Sequence, residues 1–154
     1  MIRLFLDSNV LFTAAHNPEG KASLVIELVV KDHWEVVSSA YCLAEARLNL
    51  ERKHPAALDR LSEILRAVRL VPDVAGERCT LPLTEKDRPV FATAQQGKAT
   101  HFLTGDRRHF GPYMNKPKDT MGIVVQAVGD FLVDIQKYYP RANTPKVDPG
   151  KLSC

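Results

Sequence analysis

Apolar residues along this chain occur in two arrangements: short continuous runs, and longer stretches in which they recur at helical spacing. Continuous runs bounded by turn-forming residues are typical of buried strands, and the second spacing is typical of helices packed on one face. The runs predict strands at residues 2–6, 34–37, 68–71, 101–104 and 123–125. The helical spacing predicts helices near 10–15, 21–31, 40–53, 56–67, 88–97 and 128–138, with a helical turn inside 107–113. Because strands alternate with helices, we expect an α/β fold with three layers, α/β/α, around a central parallel sheet.

Residues at the ends of these elements refine the prediction. Ser38 or Ser39 is suited to cap the helix that follows, because a serine hydroxyl can accept from a free N–H group of the first turn. Gly97 is expected to stop the helix before it, in the position where glycine is favoured. Residues 72–84 are the least regular part of the chain, although 79–83 are compatible with an extended segment.

The division of the chain follows from its composition. The sequence has 154 residues, of which 45% are hydrophobic, enough for one domain with a full core over residues 1–138. Residues 139–154 are rich in proline and in basic side chains. We expect them to form a mobile tail, and a dimer contact or partner-binding arm is the alternative.

Apolar runs, cysteine content and net charge say more about the cellular location of the protein than about its function. The short apolar opening, which stops at Asp7, does not resemble a secretory signal, and no apolar run approaches the about 20 residues of a membrane span. Cys42, Cys79 and Cys154 lack the spacing of a zinc site or a disulfide framework. We therefore expect a cytoplasmic protein with reduced thiols and no membrane partner. A net charge of +3 is compatible with a polyanionic partner without establishing one.

Three aspartates share one structural context. Asp7, Asp87 and Asp106 each precede a helical stretch, and two of them directly follow a predicted strand. Parallel sheets place ligands at such strand ends. Each aspartate alone could instead be a helix cap, worth about 1 kcal/mol. A cap at Thr84 would leave Pro89 inside the helix, so Asp87 is expected at or beside the cap.

Glu45 differs from these aspartates, because it lies in the middle of a predicted helix and can cap nothing. Its spacing from Tyr41 and Leu48 places the carboxylate beside an apolar stripe of that helix. The alternative is a solvated glutamate, paired with Asn49 or Arg52. Taken alone, that alternative is the better interpretation.

Four segments that contain these acids occur in a characteristic order. They are Leu6-Asp7-Ser8-Asn9-Val10, Ala44-Glu45-Ala46, Lys86-Asp87-Arg88-Pro89-Val90, and Leu103-Thr104-Gly105-Asp106 continuing to Arg108-His109-Phe110. In this order and with these spacings they resemble the PIN domain, the metal-dependent ribonuclease fold used by toxins of VapBC-type toxin–antitoxin pairs. The resemblance covers roughly residues 1–137.

The resemblance implies an acidic quartet that is catalytic and holds one or two Mg²⁺ or Mn²⁺ ions: Asp7, Glu45, Asp87 and Asp106. It also implies that Asn9 and Thr104 support the quartet. Two carboxylates about 4 Å apart repel by roughly 4 kcal/mol at an effective dielectric of about 20, and a hard divalent cation removes that conflict. Such a cation can also activate a bound water for attack on a phosphodiester.

Basic residues follow the acids closely. Arg88, Arg107, Arg108 and His109 are candidates to bind substrate phosphates, and the alternative is a solvated rim that balances the acids. Many PIN relatives carry a further acid where this chain has the last three of these residues, which leaves the number of metals open. His109 is not expected to bind metal, because no second histidine has suitable spacing.

The resemblance implies a Mg²⁺- or Mn²⁺-dependent endoribonuclease, the toxin of a type II pair, with RNA as substrate, an antitoxin as partner and a homodimer as assembly. A PIN nuclease of RNA processing would use the same site equally well. A phosphatase with Asp7 as nucleophile is disfavoured, because Asn9 stands where such enzymes usually carry a second acid. The non-enzymatic alternative is a PIN-like binding module whose acids only cap helices.

Overall fold

A computed structural model of the protein describes residues 1–138, through which one five-stranded sheet runs. Its strands are β1 (Arg3–Leu6), β2 (Glu35–Ser39), β3 (Arg69–Val71), β4 (His101–Leu103) and β5 (Val124–Gln126). Seven α-helices flank the sheet: α1 (Ser8–His16), α2 (Lys21–Asp32), α3 (Ala40–Lys53), α4 (Leu58–Ile64), α5 (Asp87–Gln96), α6 (Arg107–Phe110) and α7 (Val128–Tyr138). All strands are parallel, in the order β3-β2-β1-β4-β5. The predicted three-layer α/β/α architecture is therefore confirmed.

The order of the strands reverses at the centre of the sheet. The chain runs outward from β1 to β3 and then returns to β4, on the other side of β1. Right-handed crossovers place α1 to α4 on one face and α5 on the other. Leu6 pairs with Leu103, so the residues that follow β1 and β4 meet at the carboxyl ends of these two neighbouring strands. Ligands of open α/β sheets bind in the crevice at such a reversal.

Two predicted helix boundaries are settled by hydrogen bonds. Ser39 caps α3, because its hydroxyl accepts from the Cys42 N–H at 3.1 Å. The Ser38 hydroxyl instead donates to the carbonyl of Leu6 at 2.7 Å, which ties β2 to β1. The predicted helix over 56–67 is α4 with a 3₁₀ turn at each end, at Pro55–Ala57 and Leu65–Ala67.

The segment between β3 and α5 contains little regular secondary structure. It has a 3₁₀ turn at Gly76–Arg78, after which Cys79 is extended, with a φ of −79° and a ψ of 125°. Residues 79–83 pair with no strand of the sheet and bend at Leu81, so the segment expected to be extended is not part of the sheet. Some of its polar groups form hydrogen bonds within the segment: the Cys79 thiol donates to the carbonyl of Leu81 at 3.7 Å.

Helix α5 ends at Gln96, close to the predicted stop, but for a different reason. Gly97 has a φ of −75°, and Lys98 takes the left-handed conformation, with a φ of 59°. A Cβ at position 97 would lie 3.2 Å from the Thr93 carbonyl oxygen, which is tight, whereas its distance of 3.5 Å from a methyl group of Val71 in β3 is an ordinary contact. The missing side chain of Gly97 therefore matters most for the last turn of α5.

The described part of the chain stops at the end of α7. The predicted mobile tail, residues 139–154, lies outside the described residues. Among the helices that are described, none combines the length and the apolar character needed to cross a membrane.

Aromatic rings fill the centre of the core beside the reversal. Phe102, in β4, stacks on Phe5 of β1 with ring centroids 5.4 Å apart and planes within 6° of parallel. Phe91 of α5 and Phe110 of α6 contact the same ring at 5.6 Å and 4.8 Å. All four side chains are fully buried. This cluster joins β1, β4, α5 and α6, at whose ends three of the four acids lie, whereas the fourth acid lies on α3.

Truncation of the central ring tests this packing. Phe102→Ala should lower the free energy of unfolding by about 3–5 kcal/mol, because the cavity loses contacts with three neighbouring rings. Val133→Ala, on the exposed side of α7, should change it by less than about 0.5 kcal/mol. Urea unfolding followed by circular dichroism measures both. Equal effects of the two substitutions would contradict a core centred on Phe102.

Candidate active site

Asp7 directly follows β1 and is held by three donors. Its Oδ1 accepts from the Ser8 N–H at 2.8 Å, which caps α1. Its Oδ2 accepts from the Thr104 hydroxyl at 2.8 Å and from the side-chain amide of Asn9 at 3.1 Å. Only 7% of the residue is exposed. The carboxylate is therefore fixed in orientation and largely removed from water.

The environment of Asp7 disfavours its charge. Burial raises the pKa of the carboxyl group, and the hydrogen bonds from Thr104 and Ser8 oppose that effect only in part. The negative charges of Asp87 and Glu45 raise the pKa further. These charges act on Asp7 from two other segments, so three of the predicted acids share one electrostatic environment. A cation in this region would favour the charged form of each acid.

Thr104 and Asn9 connect the ends of β1 and β4. The Thr104 hydroxyl donates to Asp7 and accepts from the Asp106 N–H at 3.0 Å. The Asn9 amide nitrogen donates to the same hydroxyl at 3.2 Å, and its oxygen accepts from the Gly105 N–H at 2.7 Å. A Cβ on Gly105 would lie only 3.3 Å from that oxygen. The network connects the backbone of the fourth acid, Asp106, to the carboxylate of Asp7 through one hydroxyl group.

Asp106 and Asp87 meet at a histidine. The Nδ1 atom of His109 lies 2.7 Å from Asp106 Oδ2 and 3.4 Å from Asp87 Oδ2. The backbone N–H of His109 also donates to Asp106 Oδ1, so Asp106 caps α6. Burial opposes the charge of Asp106, but the hydrogen bonds from His109 hold the pKa of its carboxyl group below the ordinary value. Ligand atoms of these three side chains lie within 4.8 Å of one another.

Asp87 belongs to the first turn of α5, as its position before Pro89 suggested. The Thr84 hydroxyl donates to Asp87 Oδ2 at 2.8 Å, and the Asp87 N–H donates to the Thr84 carbonyl at 3.0 Å. Asp87 therefore lies beside the cap of α5, as expected, and Thr84 pairs with it without capping the helix. The aspartate side chain is 13% exposed and turned towards His109.

Glu45 lies in the middle of α3, and its partner is neither Asn49 nor Arg52. Its carboxylate accepts from the Lys86 ammonium at 3.0 Å. The glutamate side chain is 24% exposed and the lysine 61%, so the pair lies at the rim of the site. The pKa of Lys86 is raised by the hydrogen bond to Glu45, which keeps the ammonium charged. An ion pair this exposed contributes little to stability.

The predicted phosphate-binding residues are placed differently from one another. Arg107 and Arg108 are exposed on α6, next to Asp106 in the chain. The Arg88 guanidinium instead donates to the carbonyl of Cys79 at 3.1 Å. This hydrogen bond connects α5 to the segment that precedes it. The His109 ring contacts Asp87 and Asp106 with Nδ1, although its side chain is partly exposed to solvent.

Three residues of the site make contacts that the sequence did not predict. Lys86 is separated from Glu45 by 41 positions, and nothing in the sequence signals the pair. The contact of His109 with Asp106 was not predicted either, although its position three residues after Asp106 on a helical turn was an available signal. Cys42 places its sulfur 3.9 Å from Asp7 Oδ1, and burial raises the pKa of this thiol to about 12, which keeps it neutral.

Comparison with known proteins identifies the family. The sequence pattern of the PIN domain matches residues 3–108. The chain belongs to the PIN domain family. Among solved structures, this PIN domain is similar to VapBC2 from Rickettsia felis bound to a DNA fragment from their promoter, with a TM-score of 0.58, 16% identity, and coverage of 82% of this chain and 98% of that chain. At that identity the likeness concerns the fold alone. No curated protein sequence matches.

The donor set of this PIN domain suits a divalent cation. Metal–ligand bonds of about 2.1 Å at right angles place neighbouring donor atoms about 3.0 Å apart. The distances of 2.7 Å and 3.4 Å from His109 Nδ1 to Asp106 and Asp87 lie on either side of that value. The residues present therefore fit a common ion, with Asp87 and Asp106 as oxygen donors.

The hydroxyl of Thr104 provides a test of the site in the metal-free protein. Thr104→Val removes the bond to Asp7, so the Asp7 pKa should rise further above its ordinary value of 3.8. A carboxyl group with a raised folded-state pKa costs stability as the pH rises through its unfolded value. The variant should therefore lose about 1–3 kcal/mol at neutral pH and less near pH 4.

Thr104→Ser is the matched control, because it keeps the hydroxyl. It should show no additional pH dependence of the free energy of unfolding. Carboxyl carbon NMR titration of Asp7 measures the pKa directly in all three proteins. A loss of stability that is the same at both pH values would show that the methyl group, and not the hydroxyl, is what the site needs.

Proposed function

We propose that this PIN domain protein is a Mg²⁺- or Mn²⁺-dependent endoribonuclease, which hydrolyses RNA phosphodiester bonds with an activated water. The observations that carry the proposal are the electrostatic interaction of Asp7 with Asp87 and Glu45, and the meeting of Asp87 and Asp106 at His109, beside the reversal of the sheet. Carboxylates that lie near one another favour a hard divalent cation, which offsets their repulsion. Membership of the PIN domain family supports the same conclusion.

The proposed roles follow from the contacts. Asp7, Asp87 and Asp106 would hold the ion, and Glu45 would complete the site and orient the attacking water. When bound, a divalent ion lowers the pKa of a coordinated water and stabilises negative charge on a phosphodiester oxygen. Thr104 holds Asp7 in one rotamer through a 2.8 Å hydrogen bond. The carboxylate therefore does not have to be reoriented before each round of catalysis.

The basic residues around the acids would bind the RNA backbone. Lys86 extends from the rim of the site with its ammonium charged, and Arg107 and Arg108 are exposed on the short helix that begins after Asp106. Charged donors at these places can bind phosphate oxygens on either side of the bond that is cut. Such contacts fix the position of the strand without reading its bases.

Cleavage by purified protein tests the nuclease. With Mg²⁺ or Mn²⁺ the wild type should cut single-stranded or looped RNA, and EDTA should stop it. Asp7→Asn and Asp106→Asn should each lower the rate by about 100-fold or more, because each removes a charge that the cation needs. Glu63→Gln, an exposed acid of α4 outside the site, is the matched control and should cleave as the wild type does. Cleavage that survives EDTA would contradict the proposal.

We further propose that the protein acts as the toxin of a VapBC-type pair, with an antitoxin as partner and a homodimer as its assembly. The fold likeness to the VapBC2 structure supports this assignment, at the level of architecture. Arg107 and Arg108 are exposed where α6 begins, next to Asp106 in the chain, and a partner protein could cover the acids there. Control by such a partner would suit an enzyme whose substrate is cellular RNA.

Growth of cells that express the protein tests the toxin role. Induction of the wild type should arrest growth, and Asp7→Asn, at equal soluble expression, should not. Sequencing of RNA ends after induction would then locate the cuts. Normal growth together with cleavage in vitro would favour a PIN nuclease of RNA processing, and normal growth without cleavage would favour an inactive binding module.

A further inference from the structure

His109 lies one residue beyond the part of the chain that matches the PIN domain family, residues 3–108. Its Nδ1 atom nevertheless lies between two carboxylates from different helices, Asp87 of α5 and Asp106 of α6. We propose that His109, through Nδ1, is a further ligand of the metal ion held by these aspartates, and that this nitrogen donor makes the site prefer Mn²⁺ over Mg²⁺. The inference rests on the proposed function, because it concerns the same metal.

The geometry supports ligation through this particular atom. Three ligand atoms, one from each side chain, lie within 4.8 Å of one another. The contacts of Nδ1 at 2.7 Å and 3.4 Å are close to the spacing of about 3.0 Å between neighbouring donors of one ion. An ion could therefore be bound by small side-chain adjustments, without movement of either helix.

The backbone keeps the histidine in this position. Its N–H donates to Asp106 Oδ1 at 3.1 Å, so the residue belongs to the capped turn of α6. The next residue, Phe110, is fully buried against Phe102. The imidazole is thus anchored on one side by a cap and on the other by the core, while its side chain remains 38% exposed to solvent.

The expected preference for Mn²⁺ over Mg²⁺ follows from the imidazole nitrogen as donor. Mg²⁺ binds oxygen ligands almost exclusively and keeps several waters, whereas imidazole suits first-row transition-metal ions. Without an ion, the Nδ1 hydrogen can donate to Asp106. With an ion bound, the ring would carry its hydrogen on Nε2 and present the Nδ1 lone pair. A merely structural histidine would keep its hydrogen bond to Asp106 and never contact the metal.

The decisive measurement is the spin-echo EPR spectrum of the full-length protein loaded with Mn²⁺ alone. Direct ligation should give modulation from a ¹⁴N nucleus of imidazole in the wild type. His109→Asn should lose that modulation and bind Mn²⁺ about 10–100-fold more weakly. His33→Asn is the matched control: His33 is an exposed residue in a left-handed conformation that asparagine tolerates, and its substitution should change neither the spectrum nor the affinity.

A second variant separates donor type from loss of a ligand. His109→Asp offers an oxygen near the same place, so the ratio of Mn²⁺ affinity to Mg²⁺ affinity should fall at least about tenfold relative to the wild type. Calorimetry or competition against Mn²⁺ gives both constants. An unchanged ratio in a folded variant would overturn the preference, and melting curves of the metal-free proteins verify that each variant is folded.

The outcomes distinguish this inference from the proposed function. Mn²⁺ that binds and supports cleavage without ¹⁴N modulation would show that His109 is no ligand, while the nuclease assignment would stand. Modulation that persists in His109→Asn would assign it to another residue and overturn the inference alone. Absence of both Mn²⁺ binding and cleavage would overturn the inference and the proposed function together.

Discussion

A carboxylate that is almost removed from water, at the end of the central strand, is the constraint on which the site depends. Asp7 is tolerated there because a backbone N–H, a hydroxyl and a side-chain amide donate to it. Two of these donors follow Asp7 directly in α1, and the third, Thr104, arrives only because β4 returns to lie beside β1. The reversal of the strand order thus supplies the hydrogen bond that keeps a buried acid in place. Burial and neighbouring charges still raise its pKa, which leaves a site whose charged form is stabilised by a cation.

Helix capping and metal binding are compatible roles for the same aspartates. Asp7 accepts from the first N–H of α1 with one oxygen, and Asp106 accepts from α6 in the same way. The second oxygen of Asp7 accepts from Thr104, and the second oxygen of Asp106 contacts His109. Loss of stability after substitution therefore does not identify the function of either residue, since a cap is lost in any case. The positive end of α1 also favours the negative charge of Asp7.

The sequence predicted most of the fold, because continuous apolar runs and helical spacing are local signals. It left open two details that tertiary packing and local geometry decide. Ser39 caps α3 because Ser38 instead binds β1, and Gly97 follows the end of α5 with a φ of −75°, while Lys98 takes the left-handed conformation. The four acids were found from their order along the chain. Their partners were not, because the contact between Lys86 and Glu45 exists only once α3 and α5 are packed on the sheet. Spacing alone likewise could not show that His109 lies between two carboxylates.

Most acids of the candidate site have internal partners. The Lys86 ammonium binds Glu45, and Nδ1 of His109 contacts Asp106 and Asp87, while burial raises the pKa of Asp7 at the end of β1. These contacts offset part of the repulsion that a bare cluster of carboxylates would have. The proposed metal ion would therefore compete with internal partners, and its affinity would reflect the difference between two sets of contacts. Because these partners already hold the side chains, loss of the ion would not be expected to unfold the domain.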